Sequence, residues 1–164
     1  MSTPVETREH LHELLKSFDT AMVVTFAANG DMHARPMALA ELSVDGDAYF
    51  VTSIDSPKVA EIRANSVVTL SFQSPRQFAC ITGHATVVQD QALVDRLWQD
   101  MWKLWFPAGQ ADPNIAMIKF EAQQGEYWDN AGVQGLKFLY RAAIAYAKGE
   151  SPESNPQQHA KVQL

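Results

Sequence analysis

Residues 22–53 read MVVTFAANGDMHARPMALAELSVDGDAYFVTS, and the fold follows from where the apolar and turn residues fall in that stretch. Residues 22–26 form a β-branched and aromatic run, followed by Asn29-Gly30. That dipeptide tolerates the positive φ angles of a tight hairpin turn. A second extended run, 32–42, leads to a further turn signal, Asp45-Gly46, and then to Ala48-Tyr49-Phe50-Val51-Thr52. Three strands in an antiparallel meander are predicted from these residues alone.

Upstream, residues 7–18 place Leu11, Leu14, Leu15 and Phe18 at helical spacing, with His10, Glu13 and Lys16 on the other side. Downstream, Ser56-Pro57 opens a short helix over 57–64, with serine as N-cap and proline at the first helical position. Residues 67–72 and 78–88 read as strands, and Gly83 marks a bulge or a close backbone approach in the second. Asp90 caps a predicted helix over 91–105 that carries Leu93, Leu97, Trp98, Met101, Trp102 and Trp105 on one broad face. A loop over 106–113 precedes a long strand over 115–128, interrupted at Gly125. A last helix runs from about 135 to 148, with Leu136, Leu139, Tyr140, Ala143 and Ile144 on one side and Gly149 as its C-cap. The expected architecture is mainly β: a six-stranded antiparallel split β-barrel with peripheral α-helices, since closing a sheet removes its unpaired edges. A domain over 5–149 is expected, followed by a flexible polar C-terminal tail over 150–164. The single short crossover helix argues against a Rossmann fold, and no internal repeat is present.

Composition narrows the function classes. The chain has 164 residues, 46% hydrophobic and 20% charged, with a formal net charge of -6. That balance argues against a nucleic-acid partner, because phosphate binding draws on clustered lysine and arginine. No run of about 18 apolar residues spans a bilayer, and no basic, apolar leader opens the chain. A single cysteine, Cys80, cannot form an internal bridge, so a reducing compartment, most simply the cytoplasm, is expected. Cys80 lies in an apolar run and reads as a small buried hydrophobe. The five histidines are scattered, and no metal site is expected. No G-x-S-x-G motif and no glycine-rich phosphate loop is present.

The chemistry-bearing stretch runs from Arg35 to Lys58. Alternation along a strand puts His33, Arg35, Met37 and Leu39 on one face. An arginine among apolar neighbours needs an anion or a strong acceptor. The alternative is an edge-strand arginine in a surface ion pair. Pro36 removes a ladder donor, so its strand lies at an edge or is bulged there. Next, Val51-Thr52-Ser53 and Ser56-Pro57-Lys58 bring hydroxyls, helix N-terminal amides and one ammonium within a few residues. That set suits a phosphate dianion, although an ordinary capped helix with a solvated lysine has the same spelling. Trp98, Trp102 and Trp105 at helical spacing read as core or subunit packing, with Trp105-Phe106-Pro107 as an alternative wall for a ligand cleft.

The order and spacing of these motifs resemble the FMN-binding split barrels related to pyridoxamine 5'-phosphate oxidase, and more closely the general stress protein branch. The residues that carry the likeness are Arg35-Pro36-Met37, residues 49–53, Ser56-Pro57-Lys58-Val59, residues 67–75, residues 77–85 and Glu126-Tyr127-Trp128-Asp129. The resemblance implies FMN as cofactor, with FAD as the alternative nucleotide, and a homodimer with flavin at the subunit interface. It places Arg35, Pro36 and Met37 against the flavin ring, and Val51, Thr52 and Ser53 along the ribityl chain. It gives Ser56 and Lys58 to the phosphate and Gln77 to a flavin contact, although the spacing from Gln77 to Gly83 departs from the family pattern by one residue. Trp128 would close the site from the partner chain. The sequence also departs from the oxidase itself. Pro57 stands where that enzyme has an arginine, and residues 129–132, DNAG, lack its arginine-rich ending. Flavin binding is therefore expected without pyridoxamine phosphate oxidation.

Two main readings follow: a flavin-dependent oxidoreductase, or a non-catalytic flavin-binding stress or sensor protein. The same barrel holding haem or a deazaflavin, and a purely structural dimer, are the others. No side chain is assigned as a catalytic acid or base.

Overall fold

A computed structural model describes residues 4–149 and 158–164. Helix α1 (Pro4–Leu15) precedes strands β1 (Thr20–Phe26), β2 (Met32–Ala38), β3 (Glu41–Leu42) and β4 (Ala48–Ser53). Helix α2 (Pro57–Ala64), strands β5 (Val67–Gln73) and β6 (Gln77–Val88) and helix α3 (Gln91–Leu97) follow. Strand β7 (Ile115–Asp129), helix α4 (Gly132–Lys148) and strand β8 (His159–Gln163) complete the order. The strands form one 8-stranded sheet in the order β2-β1-β5-β6-β7-β4-β3, with β8 added on β7. Every pairing is antiparallel.

The expected class stands, with two corrections. The described strands number eight rather than six, and the middle strand of the meander divides. Residues 32–38 pair with β1 alone, whereas 41–42 pair with β4. Between them, the Leu39 amide donates to the Asp19 carbonyl at 2.9 Å and the next amide, Ala40, donates to Tyr49 at 2.8 Å. Consecutive residues thus bond to opposite ends of the sheet, so this one crossing curls the sheet on itself. The other correction concerns the tail. Residues 150–157 lie outside the described residues, but His159–Gln163 are a strand rather than a loose end. The first half of β7 pairs with β4 and its second half would leave an open edge; β8 fills it from Gln124 to Trp128 and buries Val162. Backbone groups beside a core require such partners, and they outweigh the polar composition of the segment.

Gly83 satisfies both readings of its glycine. The β6–β7 register shifts between Thr82 and Gly83, and a Cβ there would sit 2.0 Å from the Glu121 carbonyl oxygen. Gly125 does not interrupt β7. It makes room for α1 instead, since a Cβ would come within 2.7 Å of the Leu11 side chain. The barrel core is Val23, Phe50, Leu70, Ile81, Phe120 and their neighbours, closed at one end by Leu11, Leu14 and Leu15 of α1.

The helix expected over 91–105 ends at Leu97. Trp98 turns extended, at ψ 135, and Asp100–Leu104 resume as a 3-10 segment. Packing overrides helix propensity here. The break lets Trp102 and Phe106 join Val94, Leu97, Ile115 and Met117 in a second buried cluster, with Trp98 edge-on to Trp102 at 5.6 Å. Met101, Leu104 and Trp105 remain exposed. Helix α4 starts earlier than expected and ends at Gly149, whose φ of 67 suits a left-handed C-cap. Its Leu136, Leu139, Tyr140 and Ile144 face outward.

Candidate functional site

A groove of about 620 Å³ lies where the edge of β2, the end of β4, the start of α2 and the 3-10 segment meet. That size is within the usual range for small-molecule sites. β2 is the last strand on its side of the sheet, which is where a proline at position 36 is tolerated. Arg35, Pro36 and Met37 form one wall, and Val51, Thr52 and Ser53 form another. Ser56 and Lys58 stand at one end, while Trp102, Trp105 and Phe106 complete the far side.

The Lys58 end is built for an anion. The Thr52 and Ser56 hydroxyls lie 3.0 Å apart, and the Lys58 ammonium donates to the Thr52 hydroxyl at 3.3 Å. Ser56 occupies the N-cap position of α2 but its side chain makes no capping bond. This corrects the expected cap, because the hydroxyl is engaged with Thr52 and lines the groove instead. Lys58 is half-buried, and among the described residues it has no carboxylate ion pair. Burial pulls its pKa below the ordinary lysine value, helped by the charge of Arg35 and opposed by that of Glu61. A desolvated ammonium beside two hydroxyls gains most from a dianionic ligand.

Arg35 makes the ion pair that one of the two readings of its sequence position expected, and it stands in the groove wall. It lines the groove, and it is also ion-paired, to Glu61 of α2 at 3.0 Å. Its guanidinium further donates to the Thr25 hydroxyl at 2.5 Å and to the Val23 carbonyl at 3.4 Å. Thr25, fully buried, passes a hydrogen bond on to Glu61 at 2.5 Å, and His33 meets the other carboxylate oxygen at 2.7 Å. Bonds from Thr25, then from His33 and Arg35, hold the Glu61 carboxyl below the usual carboxylate range against the opposing effect of burial.

Of the residues proposed from sequence, Arg35, Pro36, Met37, Val51, Thr52, Ser53, Ser56 and Lys58 come together in this groove. Gln77 and Trp128 do not line it. They sit side by side on the β6–β7 ladder, where Gln77 faces Asp129 and Phe78 faces Trp128. The Gln77 amide donates to Asp129 at 3.3 Å, His10 pairs with the same carboxylate at 2.9 Å, and Trp128 stacks on His159 with centroids 5.0 Å apart. Burial, with Asp129 close by, pushes the neighbouring Tyr127 phenol up to about 12. Trp128 is 37% exposed and Phe78 38%, so this patch keeps an apolar outer face. Cys80 is half-buried, and burial followed by the charge of Glu126 raises its thiol pKa, which disfavours the thiolate.

Sequence reading missed Thr25, Glu61, Met101 and Asn114. Glu61 stands three residues after Lys58, hence on the same side of α2, and that spacing was the available signal. Asn114 and Met101 reach the groove only through the irregular chain between α3 and β7.

The fold and this groove define a class. The chain matches the family model "Pyridoxamine 5'-phosphate oxidase like" over residues 6–153 and belongs to that family. Among solved structures it is similar to a general stress FMN/FAD binding protein from Xanthomonas citri. That match has a TM-score of 0.67 and 32% identity, and it covers 78% of this chain and 92% of the other. A general stress protein 26-type structure from Jannaschia sp. CCS1 matches over 99% of this chain and 100% of its own, with a TM-score of 0.73 and 22% identity. The Neurospora crassa protein bli-3 is 25% identical over 143 residues, 77% of this chain and 68% of its own. Among the described residues, no helix is long and apolar enough to cross a membrane.

Proposed function

We propose that the groove binds a flavin mononucleotide and that the protein is a flavin-dependent oxidoreductase of the general stress protein type, not a pyridoxamine phosphate oxidase. One observation carries the reading: Lys58 is a half-buried ammonium without a carboxylate partner among the described residues, aimed with the Thr52 and Ser56 hydroxyls into a groove long enough for more than a phosphate. The volume of about 620 Å³ is ample for a mononucleotide. The relative from Xanthomonas citri, described as FMN/FAD binding, supports the choice of flavin.

Bound flavin supplies two-electron transfer chemistry, and the protein contributes placement and electrostatics. Lys58, Ser56 and Thr52 hold the phosphate by charge and hydrogen bonds. Val51 and Ser53 border the ribityl chain. Arg35 and the backbone around Pro36 and Met37 meet the ring, with the guanidinium favouring negative charge at its pyrimidine end. Trp102 and Phe106 keep water from the inner wall, and Trp105 stands at the open side.

We further propose a homodimer in which Trp128 of one copy walls the groove of the other. Its exposed ring beside exposed Phe78, away from its own groove, supports this arrangement. The free Cys80 fits a reducing compartment such as the cytoplasm.

Protein purified without added cofactor should be yellow, and mass analysis of the released compound should identify FMN. Anaerobic mixing with NADH or NADPH should bleach it, and oxygen or a quinone should restore the colour with steady turnover. Binding without bleaching by either nucleotide would leave a non-catalytic flavin protein, and release of haem or a deazaflavin would replace the cofactor. Light scattering should give about twice the 18.2 kDa chain mass.

A further inference from the structure

Helix α2 carries two residues of opposite charge, one turn apart, and of these Lys58 lines the groove while Glu61 lies behind Arg35. Lys58 in its first turn points to the anion end, and Glu61, three residues on, reaches across to β1 and β2. The Glu61 side chain is only 10% exposed, and each of its oxygens has a partner. Oε2 accepts from Thr25 and Arg35, and Oε1 meets His33. Thr25 closes a triangle, accepting from Arg35 and donating to Glu61, which fixes the plane of the guanidinium. The arginine fork has more donors than these bonds consume, and Arg35 is itself a lining residue of the groove. A guanidinium serving merely to screen a surface carboxylate would not need a fully buried hydroxyl to set its angle.

We propose that Glu61 is a positioning residue for the ring end of the site. It holds Arg35 with its spare donors toward the bound ring, and its negative charge offsets that of Arg35. The ratio between affinities for reduced and oxidised flavin is thereby held down. This rests on the flavin reading above. Two-electron reduction of a flavin adds negative charge at its pyrimidine end, so the net charge of the Arg35–Glu61 pair decides how far reduction is favoured. Both groups are partly screened from solvent, so the effect of removing one charge survives ordinary salt.

The test compares FMN-loaded wild type, Glu61→Gln and Glu61→Ala. Midpoint potentials are measured against a reference dye, and FMN affinities by fluorescence quenching. Glu61→Gln keeps an acceptor for Thr25 and Arg35 but removes the charge. It should raise the reduced-to-oxidised affinity ratio about tenfold, a potential about 30 mV more positive for a two-electron couple. A purely structural Glu61 would lower the melting temperature and leave that ratio unchanged. In the flavin-free protein, the Arg35 Nε–H signal in NMR should show restrained rotation in wild type and Glu61→Gln. It should show faster rotation in Glu61→Ala, where only Thr25 and Val23 remain as partners. A ratio within twofold of wild type in flavin-bound Glu61→Gln overturns the proposal, as does equal restraint of Arg35 in all three proteins. Should wild type take up no FMN, the flavin reading falls separately and the NMR comparison alone decides whether Glu61 positions Arg35. Should Glu61→Ala fail to fold, the Glu61→Gln potential decides.

Discussion

Replacing Lys58 with alanine separates phosphate recognition from ring recognition. In the structure Lys58 is already half-buried, and among the described residues its ammonium has only the Thr52 hydroxyl, at 3.3 Å, as a hydrogen-bond partner. Part of its desolvation is therefore incurred on folding rather than on binding, which leaves more of the attraction to a phosphate as net affinity. A unit charge pair about 4 Å apart at an effective dielectric of about 20 interacts by about 4 kcal/mol. A charge-assisted hydrogen bond contributes a net of about 1.5–3 kcal/mol once lost hydration of the ligand is included. The upper half of that range applies at a partly desolvated site, so Lys58→Ala should weaken FMN by about 45- to 160-fold. Riboflavin presents the same ring and ribityl chain without the phosphate, and its affinity should change less than about twofold. Both constants follow from quenching of flavin fluorescence on titration with flavin-free protein, and circular dichroism confirms that the variant folds. Equal losses for the two ligands would refute the assignment, because they would place Lys58 against the ring or in the scaffold. An unchanged FMN affinity would show that the dianion binds elsewhere.

The same lysine predicts a pH dependence. Burial, then Arg35, lowers its pKa from 10.5, so in the free protein its charge is lost at a lower pH than for an ordinary lysine. A bound phosphate draws the pKa back up, so FMN binding takes up a proton in that window and weakens as pH rises. The ratio of FMN to riboflavin affinity should therefore fall before the ordinary lysine range, and a flat ratio up to that range would contradict it. Within the barrel, Gly83→Ala would set a Cβ 2.0 Å from the Glu121 carbonyl oxygen, with backbone rather than a pliable side chain in the way. A loss of about 3 kcal/mol in urea unfolding is expected, and a loss under about 1 kcal/mol would mean that the bulge shifts freely.

How much of the fold was legible depends on the range of the interactions that fix each element. Hairpin turns and helix ends are local, and Asn29-Gly30, Ser56-Pro57 and Gly149 announce them by φ preference and proline geometry. Gly30 and Gly46 indeed take φ of 87 and 84. Division of the meander's middle strand is not local. Nothing in Ala38-Leu39-Ala40 distinguishes a straight strand from one whose successive amides bond to opposite ends of a curled sheet. The helix over 91–105 failed for a similar reason. Its tryptophans have helical spacing, but burying Trp102 and Phe106 against Ile115 and Met117 requires an extended residue at Trp98. Strand β8 is polar in composition and takes its place only because β7 needs a partner beyond the end of β4.

The site divides along the same line. Its anion end lies within seven consecutive residues, 52–58, and a strand end running into a helix start places hydroxyls and ammonium together whatever the rest of the chain does. Its ring end depends on a contact between residues far apart in sequence. Arg35 could be read as a ligand contact or as an ion pair, and the structure shows the ion pair, to Glu61 26 residues away, on a residue that also lines the groove. An arginine that must present charge to a ligand in a half-open groove needs something to hold its fork, and the strongest holder is a carboxylate that also dilutes its charge. The two roles are therefore not rivals. A lone Arg35 would keep only the Thr25 hydroxyl and the Val23 carbonyl, whereas a paired one is also held through its second terminal nitrogen, at the expense of part of its field. On the proposed flavin reading, the strength of the ring end would be set by α2, the same helix that would anchor the phosphate, so a shift of that one element would alter both grips at once.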